Sequence, residues 1–392
     1  MHEKEVLISG GGIAGLTLGI LLKERGWDPL VVERAPALRT EGYMMDFAGS
    51  GWDVAERMGI VEEILRVSSP IDEWAYVDTR GSPRFPPVPL ERIRRALTGR
   101  YAPIRRPDLE RILYDRAVAL GVRVIFGTGI DVIREDDAGV DVRFTDRTAG
   151  RFALLFGADG VHSRVRELVF GPESQFTRFL GYYVAAFHLG SEGYDVGRSL
   201  KIYEEPCRVL WIYPAAQGMM DAMFTFCHPD AGHIPREERP SFVREQCRGM
   251  GWIAERVLRN LPEGPVYFDS ATQIVMPSWH TRRIALLGDA CGCLTLIAGQ
   301  GSHMAMAGAY VLARELEKNK EPMAAFTAYE KFMRPIIGRK QRDAARNADT
   351  FVPRSRFQLL YRYALLRLVF SDILIRRFIT AFGAESILAG SS

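Results

Sequence analysis

The stretch Val6-Leu7-Ile8-Ser9-Gly10-Gly11-Gly12-Ile13-Ala14-Gly15-Leu16-Thr17-Leu18 constrains this chain more than any other. An apolar run of strand character enters a glycine turn and leaves it as a helix. Gly10, Gly12 and Gly15 fit the GxGxxG pattern. The first glycine permits the sharp turn, the second lets the backbone approach a pyrophosphate, and the third lets the helix pack close to the strand. Unbonded backbone N–H groups, including those of Ile13 and Ala14, and the positive end of the helix dipole then face an anion. The next apolar run, Pro29-Leu30-Val31-Val32-Glu33, ends in an acid at the spacing of a carboxylate that holds a ribose hydroxyl. A glycine turn alone also occurs where nothing binds. Strand, turn, helix, strand and terminal acid in that order predict a dinucleotide site.

At 392 residues the chain is too long for one small core and predicts two associated domains. A hydrophobic content of 47% with 25% charged residues is that of a globular protein. The net charge of +3 and the lack of a long basic run argue against a nucleic-acid partner. Five cysteines, an odd number without paired spacing, argue against a disulfide framework. No His or Cys cluster accompanies Cys291-Gly292-Cys293, so no metal is expected. No leader-like stretch precedes the first strand and no apolar run has membrane-spanning length. The expectation is a cytoplasmic protein without a membrane span, a monomer or weak homodimer.

Taken in order, the first helix runs from Ile13 to Arg25 and stops at Gly26. Residues 34–46 read as a loop, and a helix follows near Gly51 to Met58. Pro107 suits the first turn of a further helix with Leu109, Ile112, Leu113 and Ala117 as its buried stripe. Val140 to Phe144 and Arg151 to Phe156 read as a hairpin, closed by Gly157-Ala158-Asp159-Gly160. The first part of a cofactor domain therefore covers 1–173, with segments near 70–105 contributing elsewhere. From 174 to 280 successive alternating strands predict an antiparallel substrate domain. The chain returns over 281–350: Arg283 to Leu287 is a buried strand, Gly288-Asp289 lies at its carboxyl end, and Gly299-Gln300-Gly301 opens a helix at Ser302. A second helix covers Met323 to Met333. The segment 351–392 is apolar but punctuated by arginines. It predicts a C-terminal helix packed across both domains, with a membrane-surface role as the alternative.

Gly10-x-Gly12-x-x-Gly15, Asp159-Gly160 and Gly288-Asp289, in that order and with Arg106 between the first two, resemble the signatures of the group A flavoprotein monooxygenases, the para-hydroxybenzoate hydroxylase-like family. The stretches Gly181 to Phe187 and Phe268 to Ile274 make the chain most similar to the tetracycline-inactivating flavin monooxygenases within that family. The resemblance implies an α/β fold: an FAD-binding Rossmann-like domain of the glutathione reductase type, an inserted antiparallel-sheet substrate domain and a C-terminal helix. It implies that Gly10, Gly12, Ile13, Ala14 and Gly15 contact the FAD pyrophosphate and that Glu33, with Arg34 beside it, holds the adenosine ribose. It places Arg106 on the phosphate or ribitol, Asp159-Gly160 on FAD and the nicotinamide donor together, and Asp289 on the ribitol and pyrophosphate. Gly299, Gly301 and Ser302 then face the pyrimidine edge of the flavin, and Arg39 and Asp46 flank the isoalloxazine. Arg39 and Arg164 are candidates for transient contact with NADPH or NADH.

The implied function is hydroxylation of an aromatic or polycyclic small molecule, tetracycline- or polyketide-like. NAD(P)H and O2 would be consumed through a flavin C4a-hydroperoxide. The flavin carries the chemistry, so no catalytic side chain is expected. Arg208, Trp211, Tyr213, Met220 and Phe224 are the candidates to line the substrate space, with Arg208, Tyr213 and Phe224 foremost. The sequence departs from the family pattern at Gly292 and Leu296, where an aromatic or histidine and a flavin-facing proline are usual. That departure leaves two alternatives: an FAD-dependent reductase without oxygen insertion, and a flavin-loaded binding protein. A halogenase is disfavoured by the absence of lysine between Lys23 and Lys201.

Overall fold

The computed structural model describes residues 4–369, apart from 191–192, 195, 216–217, 231, 233, 265 and 296–298, together with 386–388. The strand Glu5–Ser9 lies at the centre of a five-stranded parallel sheet. The order is Ile284–Leu286, Leu154–Gly157, Glu5–Ser9, Asp28–Glu33, Arg123–Phe126. Its inner strands are unbroken apolar runs because both faces of a parallel sheet are covered; Val6, Leu7 and Ile8 are wholly buried. The helices Ile13–Glu24 and Gly301–Lys318 pack against each other and share this core.

The run from Arg151 to Phe156 is not one arm of a hairpin. Ala149–Phe152 pairs antiparallel with Val140–Phe144, and Leu154–Gly157 passes into the parallel sheet. The cause is visible in the residues. Arg151-Phe152 alternates as a one-faced strand does, whereas Leu154-Leu155-Phe156 is apolar on both sides. The expected loop 34–46 likewise ends early, because Met44–Ala48 is a strand paired with Tyr101–Arg105.

A seven-stranded sheet forms the second layer system. Its order is Tyr267–Ile274, Thr177–Leu189, Met220–Cys227, Arg208–Pro214, Ser199–Glu205, Glu73–Val77, Val88–Pro89. All neighbours are antiparallel except Ser199–Glu205 with Glu73–Val77. One face is packed by the helices Arg239–Cys247 and Ala254–Arg259, through Val243, Cys247, Val257 and Leu258 against Tyr183, Phe187, Leu210, Ile212, Phe224 and Phe226. The opposite face meets the cofactor-type layer and the C-terminal helices.

The expected helix Met323 to Met333 is one end of a 30-residue helix, Pro322–Phe351, which continues through Pro335. Pro335 is exposed, so its ring stands on the solvent side. Buried amides fix the far half of this helix. Gln341 Nε2 donates to the carbonyls of Ile274 (2.7 Å) and Cys293 (2.9 Å), and Gln273 Nε2 donates to those of Gln341 (2.8 Å) and Leu294 (3.1 Å). The last described helix, Arg356–Val369, is held to the large sheet by Arg362, whose Nη1 lies 2.6 Å from the buried carboxylate of Glu204. Of the rest of the expected C-terminal helix only 386–388 are described, as a turn in which the Ile387 N–H donates to Ser50 Oγ at 3.0 Å; the other residues beyond 369 lie outside the described residues, as does Leu296. Among the described residues no helix is long and apolar enough to cross a membrane, and no group of three His, Cys, Asp or Glu side chains is placed to hold a metal ion.

Candidate functional site

The glycine turn is built so tightly that only glycine fits. Gly10 has φ +111°, and a Cβ there would lie 2.4 Å from the carbonyl oxygen of Ala158. A Cβ on Gly15 would lie 1.9 Å from the carbonyl oxygen of Gly10. These two positions bring the loop, the helix Ile13–Glu24 and the end of the strand Leu154–Gly157 to the same point. Gly12 caps that helix without a side-chain bond, so the first N–H groups of the helix stay open to a ligand. Ile13 and Ala14 themselves are buried. Glu33 closes the neighbouring strand, where Oε2 accepts from the Gly11 N–H and Oε1 from the Ala35 N–H, each at 2.8 Å. Arg34 and Arg39 extend beyond it as exposed side chains.

Arg106 begins the helix Arg106–Ala119 and is aimed at the turn. Its Nη2 lies 2.8 Å from Glu110 Oε1 and about as close to Gly12 as van der Waals contact allows: a Cβ built there would be 4.0 Å from Nη2. Asp289 begins the short helix Asp289–Gly292 after Gly288, whose φ is +61° and whose Cβ, if present, would meet that of Ala14 at 3.0 Å. A Cβ on Gly301 would be 3.9 Å from Asp289 Oδ1, so the return segment closes onto the same cleft. Burial disfavours the charge on Arg106, but Glu110, with Tyr43, Tyr267 and Asp289, more than offsets this and holds its pKa above the usual arginine range. Burial pushes the Asp289 carboxyl up, and the Arg106 charge opposes that rise. Arg106 keeps 24% of its side-chain exposure although it lies deep in the molecule, as expected of a group lining an internal cleft.

Asp159 lies just after the strand Leu154–Gly157. Its carboxylate turns back on its own loop, where it accepts from Ser163 Oγ (2.5 Å) and from the N–H groups of Arg164 (2.8 Å) and Val165 (3.1 Å). It therefore shapes the turn and the start of the helix Arg164–Phe170, while Gly160 takes φ +80°. Arg164 is exposed and paired with Glu167 at 2.7 Å. Sequence reading overlooked Arg166. This wholly buried guanidinium donates to the carbonyls of Ala290 (3.0 Å) and Val161 (2.6 Å) and pairs with Glu173 (2.7 Å). One side chain thus ties the middle signature to the late one.

Facing this cleft, the large sheet presents three rungs. The first is Tyr213, Asp221 and His188; the second is Trp211, Met223, Ala186 and Tyr267; the third is Val209, Thr225, Val184 and Asp269. The first rung is polar. Arg105 donates from Nε to Asp221 (3.1 Å) and from Nη2 to His188 Nε2 (2.8 Å) and the Thr40 carbonyl (3.2 Å), which fixes His188 in the Nδ1–H form against Asp221. Tyr213 Oη accepts from the Met44 N–H at 2.9 Å and joins the sheet to the strand carrying Asp46. The second rung is aromatic and polarisable: Tyr267 meets Tyr43 edge-on at 5.2 Å, and Trp211 stacks on Phe351 at 5.5 Å.

Arg208, Met220 and Phe224 do not belong to this face. They lie one residue out of phase with it, among the side chains directed at the helices Arg239–Cys247 and Ala254–Arg259. Arg208 Nη2 pairs with Glu205 at 2.6 Å and Nη1 donates to the Arg248 carbonyl, while Phe224 stacks on Phe187. Side chains alternate along a strand, so an error of one position exchanges faces. Of the five candidates the structure brings Trp211 and Tyr213 to the cleft. Tyr43, Tyr267, Asp269, Ala186 and Met223 join them without having been singled out.

The helix Gly301–Lys318 starts at the cleft with no side-chain cap on its N-terminus, at Gly301 and Ser302, just after Gly299 at φ +63°. Its first turn carries His303, buried beneath Phe47 and Gly51, with Nε2 accepting from the Ala48 N–H at 3.3 Å. Asp46 is close by, its carboxylate accepting from Tyr101 Oη; burial raises its pKa and that bond opposes the rise. Burial pulls the His303 imidazole down to about 4. In the unfolded chain the same ring titrates near the ordinary histidine value of about 6.5. The unfolded state therefore takes up the proton first. The stabilisation is complete above about pH 6.5 and fades as pH falls through about 4, by about 3 kcal/mol in full. Urea midpoints measured across this range should show that loss, and His303→Gln should flatten it.

Comparison with known proteins agrees with this geometry. The family described as "FAD binding domain" matches residues 3–331. A flavin-dependent monooxygenase from an unknown prokaryotic organism is 28% identical over 363 residues, covering 89% of this chain and 90% of that protein. The flavin-dependent monooxygenase eupH of a Phoma species is 30% identical over 391 residues, covering 91% of this chain and 90% of that one. The crystal structure of the tetracycline destructase Tet(55) superposes with a TM-score of 0.83 at 26% identity, covering 98% of each chain.

Proposed function

This chain belongs to the FAD binding domain family of flavin-dependent monooxygenases, and on that premise we propose that it consumes NAD(P)H and O2 to hydroxylate an aromatic or polycyclic small molecule, tetracycline- or polyketide-like. One observation carries the reading: the glycine turn, Arg106, Asp289 and the uncapped helix start at Gly301 converge on a cleft whose opposite wall is the rung Trp211, Met223, Ala186 and Tyr267.

The residues present fit FAD. Side chains at Gly10 and Gly15 would strike the backbone of Ala158 and Gly10 and force the turn apart, and the open N–H groups after Gly12 with the guanidinium of Arg106 suit a pyrophosphate. Glu33, at the end of its strand, would hold a ribose, and Asp289 would hold the ribitol. The N–H groups of Gly301 and Ser302 with the helix dipole favour negative charge on the pyrimidine edge of the reduced ring. When bound, FAD would supply the redox chemistry that couples nicotinamide oxidation to oxygen insertion. A planar substrate would lie on the cleft side of the second rung, where Tyr43 and Tyr267 meet edge-on and would border it. The polar first rung, with His188 the half-exposed member, forms the mouth. Exposed Arg39 offers the nicotinamide donor only a transient hold.

The test is direct. The purified protein should be yellow, and its NAD(P)H and oxygen consumption should rise together when a phenolic panel that includes a tetracycline is added, with a one-oxygen gain in product mass. Ligand-independent NAD(P)H oxidation with no such product would refute hydroxylation. Asp289→Ala should lower FAD retention by about ten-fold, read from the ratio of flavin to protein absorbance after gel filtration. Unchanged flavin content would remove Asp289 from the site.

A further inference from the structure

The outward face of the helix Arg356–Val369 is apolar. Phe357, Leu360 and Tyr361 are 78%, 68% and 65% exposed, the most open large apolar side chains among the described residues, and Ala364 beside them is exposed too. Positions 357, 360, 361 and 364 follow the i, i+3, i+4, i+7 spacing of one helix face, so the four form a single stripe. Single exposed apolar residues are ordinary, whereas a contiguous stripe of them marks a surface that another phase or molecule covers.

The helix is held by its other side. Leu359, Arg362 and Leu366 are buried, and Leu366 joins the core under the large sheet. Besides its pairing with Glu204, Arg362 donates from Nη1 to the Phe351 carbonyl at 2.7 Å and from Nη2 to Tyr76 Oη at 3.3 Å. The outer stripe takes no part in this docking. The charges around it have one sign. Between Asp349 and Asp372 the chain carries four arginines, Arg354, Arg356, Arg362 and Arg367, and no acid. Arg354 and Arg356 are exposed at the N-terminal end of the helix. Near the other end exposed Arg367 donates to the Arg84 carbonyl at 3.0 Å, and the exposed Arg84 guanidinium lies over the Tyr363 ring at 5.2 Å.

We propose that this helix seats the protein on an anionic lipid bilayer, with the stripe Phe357, Leu360, Tyr361 and Ala364 at the boundary of acyl chains and headgroups and the arginines among the headgroups. A helix of this kind lies in the plane of the interface and does not cross it. Its binding is the sum of the apolar area it buries and the attraction of its basic rim to anionic lipid. A second copy of the chain fits the face less well. A two-fold contact brings the same patch of both copies together, so the arginines at the two ends would meet one another with no acid from this segment to pair them.

The experiment is cosedimentation of the FAD-loaded full chain with vesicles of phosphatidylcholine, alone or with about 30% phosphatidylglycerol. Wild type should partition about ten-fold more strongly onto the anionic vesicles than onto the neutral ones, and about 0.5 M salt should remove most of that difference. The triple variant Phe357→Ser, Leu360→Ser, Tyr361→Ser should bind anionic vesicles about ten-fold more weakly while keeping the urea midpoint and flavin content of wild type. Arg356→Glu should lower the preference for anionic lipid and leave binding to neutral vesicles as it was. Should the triple variant fail to fold, Tyr361→Glu, a single change on the exposed face, decides instead. No vesicle binding by wild type, equal binding to neutral and anionic vesicles, or undiminished binding by the variants would each overturn the proposal. So would a wild-type dimer in solution that the triple variant dissolves, which would assign the stripe to a second copy. Sedimentation reads binding without turnover, so each of these results is independent of the hydroxylase reading.

Discussion

Gly15→Ala is expected to yield a protein without flavin, less stable than wild type by more than about 4 kcal/mol or insoluble outright. The Cβ it adds would sit 1.9 Å from the carbonyl oxygen of Gly10, and 3.2 Å from Ile8 Cγ2 on the central strand. No side chain there can swing aside, because the nearest obstacle is backbone. The helix Ile13–Glu24 would have to lift off the parallel sheet, separating buried Leu16 and Leu18 from Ile8 and Val31. It would also draw the open N–H groups after Gly12 away from the phosphate position. The measurement pairs a urea unfolding curve with flavin absorbance after gel filtration. Gly59→Ala is the control. That residue, unlike helical Gly15, has positive φ, +68°, but meets nothing within 4 Å, so the cost there is the local backbone strain alone, about 1 kcal/mol, with flavin retained. Equal behaviour of the two variants would show that the close approach at Gly15 is not what holds the cradle.

Arg106→Met should have the second-largest effect, for a different reason. It removes the cation 2.8 Å from Glu110, a carboxylate only 4% exposed, and leaves that charge buried without its partner. Breaking such a pair from one side costs about 3 to 5 kcal/mol, much of it the desolvation of the group left behind. FAD affinity should fall by about 100-fold through loss of a charge-assisted bond to phosphate. The two losses separate in the double variant Arg106→Met with Glu110→Gln. Neutralising position 110 should return most of the stability, seen in the urea midpoint, while flavin affinity by fluorescence quenching stays low. Restored flavin binding in the double variant would mean that Arg106 serves the fold alone.

The cofactor side of the molecule was readable because its constraints are local. Gly10, Gly12, Gly15 and Glu33 obey fixed spacings within one strand–turn–helix–strand unit, and backbone geometry allows few alternatives to glycine there. The chamber side was readable only as a set of strands. In Arg208-Val-Leu-Trp-Ile-Tyr-Pro214 nearly every position is apolar, because one face packs on helices and the other on the cleft. With no polar alternation to mark the phase, Arg208 and Phe224 were assigned to the face that Trp211 and Met223 occupy. Tyr43, Tyr267 and Asp269 were invisible as a group because they meet from segments far apart in the chain, and neither composition nor period records that. The helix expected to end at Met333 continues through Pro335, whose ring faces solvent, and buried Gln341 anchors the turns beyond it.

The alternation of the large sheet has an evolutionary corollary. Along Thr177–Leu189, Arg208–Pro214 and Met220–Cys227, neighbouring residues meet different surroundings: one the helices behind, the next the cleft in front. Drift at Ala186, Trp211 or Met223 can therefore retune what is admitted while Leu210, Phe224 and Phe226 go on holding the scaffold together. A lineage built on this plan can exchange one target compound for another by point changes, without insertions and without reinventing its cofactor chemistry.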